Sequence, residues 1–176
     1  MADGSSPMAA FTPSVDTARA LRDAFGQFAT GVTLITIQGA ACKGPDGPMG
    51  FVANSFSSLS LDPALVLWSL AKSSRRYGPF AQAQDFAIHI LAADQTALMA
   101  RFDRDGIGFD GLDHSTNAAG VPLLAGALAR LECRLFAQHE GGDHTLIIGA
   151  VQRVTTQAGA PLVFAQGRMR ALDGQD

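Results

Sequence analysis

Cysteine is scarce in this sequence: Cys42 and Cys133 are the only two in 176 residues. No disulfide framework is implied, and a reducing cytoplasm is the expected setting. Charge is scarce too, at 16% Asp, Glu, Lys and Arg, against about 25% in an average globular domain. Such a shortage implies surface hidden from water, and the commonest cover is a second copy, so a homodimer is expected. The net charge of −3 gives no positive field, so neither nucleic acid nor an anionic membrane is an expected partner. Long hydrophobic runs are missing. The longest largely apolar stretch, Ala64–Ala71, falls far short of the ~20 residues that span a bilayer. Residues 1–13 lack the basic and apolar regions of a signal peptide. Rich in Ala, Ser, Gly and Pro, they read as a disordered lead to a single domain over 14–176. Also missing are a Gly-x-Gly-x-x-Gly after a strand, a phosphate loop ending in Gly-Lys-Ser/Thr and a Gly-x-Ser-x-Gly elbow. Rossmann, nucleoside-triphosphate and serine-hydrolase sites therefore have no support.

What is present is a chain of strands. Ser14 and Asp16 are N-cap types, and Ala18, Leu21, Phe25 and Phe28 follow at helical spacing, which predicts an amphipathic helix ending at Thr30-Gly31. The β-branched run Val32–Ile37 then predicts a strand, and the Gly/Pro-rich segment Gln38–Pro48 a loop. Further strands are expected over Gly50–Asn54, Ala64–Leu70, Asp85–Leu91, Pro161–Ala165 and Arg168–Leu172. The segment Ala64–Leu70 is almost wholly apolar, which predicts burial on both faces. Short helices are expected over Arg75–Gln84 and from a cap at Asp94 to Phe102, and Asp103–Asp113 reads as a flexible loop. Two long strands, Ala129–His139 and His144–Thr155, flank Glu140-Gly141-Gly142-Asp143, a strong hairpin signal. Strands outnumber helices and adjoin by hairpins. The expected fold is mainly β with flanking helices, an antiparallel sheet closing into a barrel.

Three clusters could carry chemistry. Asn54, Ser55, Ser57, Ser58 and Ser60 place an amide and four hydroxyls in seven positions. They could hydrogen-bond the edge of a planar heterocycle or a ribityl chain, and a Ser-rich strand end and turn accounts for the same composition. Lys72, Ser73 and Ser74 follow a strand and precede a helix, where a cation, hydroxyls and free N–H groups suit a phosphate; a capped helix with solvated basic residues would look the same. The third cluster is Gly141–His144. With Gly141-Gly142 as the turn, His139 would face His144 and could chelate a metal, but no third ligand is nearby, so no metal is expected. Asp143 could instead orient the His144 ring at a barrel mouth. His89, on a strand between apolar neighbours, reads as a satisfied structural histidine.

The order of the motifs is itself informative. Phe-Ala-Thr-Gly-Val-Thr (Phe28–Thr33), Ala-Asn-Ser-Phe-Ser-Ser-Leu-Ser-Leu-Asp-Pro (Ala53–Pro63), Leu-Ala-Lys-Ser-Ser (Leu70–Ser74), Gly-Gly-Asp-His (Gly141–His144) and Pro-Leu-Val-Phe-x-x-Gly (Pro161–Gly167) together resemble the flavin reductase-like family over about residues 16–172. That family supplies the small reductase components of two-component flavin monooxygenases. The resemblance implies an FMN-binding split β-barrel, dimeric, that oxidises NADH or NADPH and releases reduced flavin (FMN, or FAD) to an oxygenase partner. It implies that Asn54, Ser55 and Ser57 line the isoalloxazine and ribityl chain, and that Thr30 and Gly31 shape the wall beside the ring. Lys72, Ser73 and Ser74 would hold the phosphate end, with His144 near the nicotinamide.

Three positions depart from the family pattern: Val52 stands for a usual threonine, Gly108 for a basic residue before Phe109, and Met169 for an aromatic in the last strand. Hydride transfer from nicotinamide to flavin needs stacking and a donor to the pyrimidine edge, here Asn54, and no nucleophile. Two alternatives remain open on the sequence: a reductase whose FMN stays bound, and a flavin-binding carrier or sensor without turnover.

Overall fold

The computed structural model describes residues 10–39, 47–102 and 104–171. Most of the expected lead, residues 1–9, and the middle of the expected loop, 40–46, lie outside the described residues. Among the described residues, three helices, α1 (Ala18–Phe25), α2 (Tyr77–Gln82) and α3 (Thr96–Phe102), flank twelve strands. The main sheet has seven strands. In chain order these are β2 (Thr33–Gly39), β3 (Gly47–Ala53), β4 (Ser57–Leu61), β5 (Ala64–Ala71), β6 (Asp85–Ile90), β9 (Ala129–Gly141) and β10 (His144–Thr156). They pair antiparallel in the order β3-β2-β6-β9-β10-β5-β4. A second sheet sets β11 (Leu162–Ala165) between β1 (Thr30–Gly31) and β12 (Arg168–Ala171), and β7 (His114–Thr116) pairs with β8 (Pro122–Leu124). The mainly β, antiparallel expectation holds. No described helix is long and apolar enough to cross a membrane.

The shape follows from one connection. The outer strands of the main sheet, β3 and β4, are consecutive in sequence and joined only by Asn54-Ser55-Phe56. Laid flat, seven strands would hold their outer members about 29 Å apart at ~4.8 Å per step. The four Cα steps from Ala53 to Ser57 reach at most about 14 Å. The sheet must therefore curl round the core until its two edges nearly meet. No ladder is drawn between β3 and β4 among the described residues, so the barrel stays split, and the Asn54 segment bridges the split.

Inside the curl lie Ile35, Phe51, Trp68, Phe80, Phe86 and Ile147. Phe51, Trp68 and Phe80 pack at 5.5–6.1 Å between centroids, with Phe86 against Trp68 at 6.1 Å. Each such aromatic pair adds about 0.5–1.5 kcal/mol beyond its buried area. A second cluster, with Val32, Leu34, Leu91, Phe102, Phe109 and Leu162, ties β2 to the smaller sheet.

Several expectations need correction. β5 is buried on one face only: Val66, Trp68 and Leu70 point inward while Leu65, Leu67 and Ser69 are half-buried. The almost wholly apolar run concealed this alternation, because an outer face awaiting cover carries largely the same residue types as a core. The expected stripe is not buried and the helix stops early: α1 ends at Phe25, 70% exposed, and Phe28, in the turn after it, is 77% exposed. Strands β2 and β3 extend into the segment read as a loop, through Gly39 and from Gly47. Asp94 does not start α3. The Gln95 side chain accepts from the Ala92 N–H at 3.0 Å, and the helix begins at Thr96.

The segment after α3, read as flexible, is anchored over its described part. Phe109 stacks on Phe102 at 4.9 Å, Arg101 Nε donates to the Gly108 carbonyl at 3.0 Å, and the Gly50 N–H donates to the Gly106 carbonyl at 2.8 Å. A Cβ on Gly108 would lie 2.6 Å from the Arg101 carbonyl oxygen, so the departure at this position reflects a close approach that admits no side chain.

The β9–β10 hairpin also turns one residue later than expected. Its central residues are Gly142 and Asp143, with Gly141 facing His144 and His139 facing Leu146. Gly142 has φ +73° and Asp143 has negative φ, the pattern of a two-residue turn that needs glycine only at its first position. His139 and His144 therefore do not face each other. No group of three His, Cys, Asp or Glu able to hold a metal occurs among the described residues.

Candidate functional site

At the split, Thr33 Oγ1 donates to the Ala53 carbonyl at 2.7 Å and fixes the end of β3. Beyond it, Asn54 is exposed and its amide has no protein partner among the described residues. Asn54 lines a cavity of about 150 Å³ with Val32, Val52, Phe164 and Met169. Thr30 pairs directly with Phe164 in the small sheet, and its buried Oγ1 has no hydrogen-bond partner among the described residues. A Cβ added to Gly31 would touch nothing within 4 Å. A buried hydroxyl without a partner is costly unless a ligand completes it. An apolar cleft rimmed by one free amide, with the orphaned Thr30 hydroxyl on the strand that pairs with its Phe164 wall, fits the edge of a planar, polar-rimmed ring such as a flavin. Val52 is also a wall of a larger cavity, about 380 Å³, lined by Arg76, Met99 and Ala100. Arg76 lies 4.6 Å over the Phe51 ring and donates to the Phe102 carbonyl.

The second part of the site is the paired end of β5 and β10. Ala71 faces His144, and the Lys72 N–H donates to the Asp143 carbonyl at 2.9 Å. Lys72 Nζ donates to the Gly142 carbonyl at 2.7 Å and to Glu140 Oε2. That bond to Glu140 holds the ammonium pKa above its ordinary value. His144 Nδ1 lies 2.8 Å from Asp143 Oδ1. A carboxylate only accepts, so Nδ1 carries the hydrogen and the Nε2 of the neutral ring is left as an acceptor. The same bond lowers the Asp143 carboxyl pKa. Tyr77, at the start of α2, meets Thr145 Oγ1 at 2.9 Å and braces α2 against this end.

Ser55 joins the two parts. Its Oγ accepts from the Ser69 N–H at 3.0 Å, and Ser69 is three residues from Lys72, roughly 10 Å along an extended strand. The split therefore sets the Asn54 cleft beside the Lys72–His144 end. Asn54 lines the cleft, and Thr30 and Gly31 pair with Phe164 and Val163 of the neighbouring strand; Lys72 and His144 gather at the hairpin.

The remaining serines are less free than their composition implied. The Ser55 hydroxyl is engaged by β5. The exposed Ser57 donates to the Ser58 carbonyl at 3.1 Å. Ser74 Oγ accepts from the Arg76 N–H at 3.2 Å and supports the entry to α2, while Ser73 is exposed in the turn. Val32 and Phe164, as walls of the cleft, were not singled out from the sequence. The pairing of Phe164 with Thr30 gave no local signal, because those positions are more than a hundred residues apart. The grip of Glu140 on Lys72 was equally hidden, since it depends on the hairpin register.

Comparison with known proteins gives the family. The model of the flavin reductase-like domain matches residues 25–173, and the chain belongs to that family. It is 51% identical to the FMN reductase (NADH) SmoA of Agrobacterium fabrum, over 89% of this chain and 87% of SmoA. It is 42% identical to the reductase component of a flavin-dependent trigonelline monooxygenase from Acinetobacter baylyi, over 88% of this chain. There it spans only about half of the relative, 49%. Among solved structures, the NADH:FAD oxidoreductase SgcE6 of Streptomyces globisporus C-1027, in complex with NAD and FAD fragments, superposes with a TM-score of 0.80. It is 36% identical, with 92% of this chain and 96% of that chain covered.

Proposed function

We propose that this chain is an NAD(P)H-dependent flavin reductase whose site is the split between β3 and β4, with FMN as its flavin and NADH as its reductant. Reduced flavin then passes to a separate flavin-dependent monooxygenase. The observation that carries this is the cleft beside Asn54 and Thr30, with its orphaned hydroxyl, set next to the cationic and imidazole groups of the β5–β10 end in a chain of this family. FAD and NADPH are the alternative ligands, and SgcE6 supports FAD as a competitor.

Bound there, the flavin supplies a ring that accepts hydride from a nicotinamide. The work of the chain is to bind and orient. Asn54 donates to the polar edge of the ring, and Thr30 Oγ1 gains the partner it lacks. Val32, Val52, Phe164 and Met169 exclude water from one face. Lys72, with Ser73 beside it, holds the phosphate end, and Ser55 and Ser57 border the ribityl path. His144, oriented by Asp143, offers Nε2 to the carboxamide of the nicotinamide. The cleft opens to solvent at Asn54, which favours release over permanent retention, because a loosely held flavin dissociates quickly.

A homodimer is part of this reading. The outer face of β5 and β10 presents Leu65, Leu67, Leu146 and Ile148 half-buried, and the end of α1 and the turn after it expose Phe25 and Phe28; a second copy would cover such faces. A cytoplasmic setting suits the free thiol of Cys133.

The test is the absorption spectrum of the protein with FMN before and after anaerobic NADH. Bleaching is expected, and an unchanged spectrum would leave a binding module. Reduction of an acceptor across a dialysis membrane is expected; its failure would leave a reductase with fixed FMN. Light scattering at micromolar concentration should give twice the chain mass.

A further inference from the structure

Lys72 is not waiting open for an anion. Its ammonium is held by Glu140 Oε2 from β9 and by the Gly142 carbonyl at 2.7 Å, and its own N–H is tied to the Asp143 carbonyl at 2.9 Å. The hairpin register that places Glu140 opposite Thr145 brings this carboxylate across from the end of β5. Asp143 adds a second negative charge felt at Lys72. The Glu140 side chain is 80% exposed and that of Lys72 36%, so the carboxylate can swing into water at little cost. A phosphate at Lys72 would meet both carboxylates. It would have to displace the first.

We propose that Glu140 gates phosphate binding: it occupies Lys72 when no phosphate is present, must release it before a flavin phosphate can be held, and so lowers the affinity for phosphorylated flavins relative to riboflavin. This rests on the reading of Lys72 as the phosphate-side cation. The effect is modest by construction, since an exposed ion pair changes an equilibrium constant by roughly two- to fivefold. A modest weakening suits a reductase that gives its flavin away, because it speeds departure without dismantling the site.

The test is equilibrium titration of the full chain with FMN and with riboflavin, followed by flavin fluorescence, for wild type, Glu140→Gln, Lys72→Ala and the double variant. Glu140→Gln should bind FMN roughly two- to fivefold more tightly and riboflavin unchanged, and the gain should vanish when Lys72 is also replaced. Glu140→Asp should stay close to wild type. Three outcomes overturn the proposal. If Glu140→Gln leaves the FMN-to-riboflavin ratio unchanged while Lys72→Ala selectively weakens FMN, the gate is wrong and Lys72 keeps its role. If Glu140→Gln tightens both ligands equally, it acts on the ring and not on the phosphate. If Lys72→Ala weakens both equally, Lys72 does not serve the phosphate, and the gate falls with that reading.

Discussion

His89 and His144 lie on strands of the same seven-stranded sheet and differ in everything but residue type. His89, on β6, is fully buried; its Nδ1 donates to the Leu34 carbonyl at 3.0 Å and its Nε2 accepts from the Leu124 N–H at 3.1 Å. Burial, aided by the nearby Arg130 charge, pushes its pKa down to about 4. His144, at the start of β10, is 41% exposed, and its one protein partner among the described residues is the Asp143 carboxylate. The first has no bonding capacity left. The second keeps a ring nitrogen available. Polar groups open to a ligand lie at the split and the hairpin end, whereas the ring of His89 is completed by the fold. Cys133 belongs with His89: burial, with Glu132 adding to it, pushes its thiol up to about 12, so it is inert as a nucleophile.

The largest test of this contrast is His89→Leu. It strands a buried carbonyl and a buried N–H, each costing about 1–3 kcal/mol, so urea unfolding should report a loss of roughly 3–5 kcal/mol. The variant that stays folded should bind FMN normally. A loss of FMN affinity without a loss of stability would break the contrast from the His89 side.

Next comes pH. The unfolded chain protonates His89 near 6.5, whereas the folded chain holds it neutral down to about 4. Between those values the unfolded state binds more protons, so stability is full above pH 6.5 and falls as pH drops towards 4. At ~1.36 kcal/mol per unit the total loss is about 3 kcal/mol. Stability flat across that window would show that the fold protonates His89 as readily as the unfolded chain does.

His144→Ala should slow flavin reduction and raise the KM for NADH while leaving the flavin Kd nearly unchanged. A displacement of ~1 Å at the reacting atoms can cost about 10²-fold in rate. EDTA should have no effect on the wild type. A normal rate in the variant would remove His144 from the nicotinamide side. A smaller effect is expected for Lys72→Ala, with FMN binding weakened on the order of tenfold and riboflavin spared, as for a charge-assisted contact. Tyr77→Phe should be the mildest. It deletes the contact to Thr145 and should cost about 1 kcal/mol of stability, with KM for NADH rising only slightly.

Much of the fold was legible in local patterns. The β-branched run of β2 and the Gly-rich hairpin between β9 and β10 each carry their signal within a few residues. Legibility failed where the partner of a residue is remote. The almost wholly apolar run of β5 concealed one half-exposed face. The amphipathic stripe of α1 announced a helix but not what covers it. In Gly141-Gly142-Asp143 either of two frames satisfies the turn, and a one-residue shift decides which side chains face each other.

Residue types and their order, by themselves, determined a mainly β, antiparallel chain and drew attention to Asn54, Lys72 and His144. Tertiary structure alone decided that β3 and β4 meet across a three-residue bridge, that Phe164 stands beside Thr30, and that Glu140 reaches Lys72. The reason is physical. Propensity and periodicity are properties of neighbours in sequence, whereas a cleft, an orphaned hydroxyl and an ion pair arise only when strands far apart in the chain are brought together by the burial of a common core.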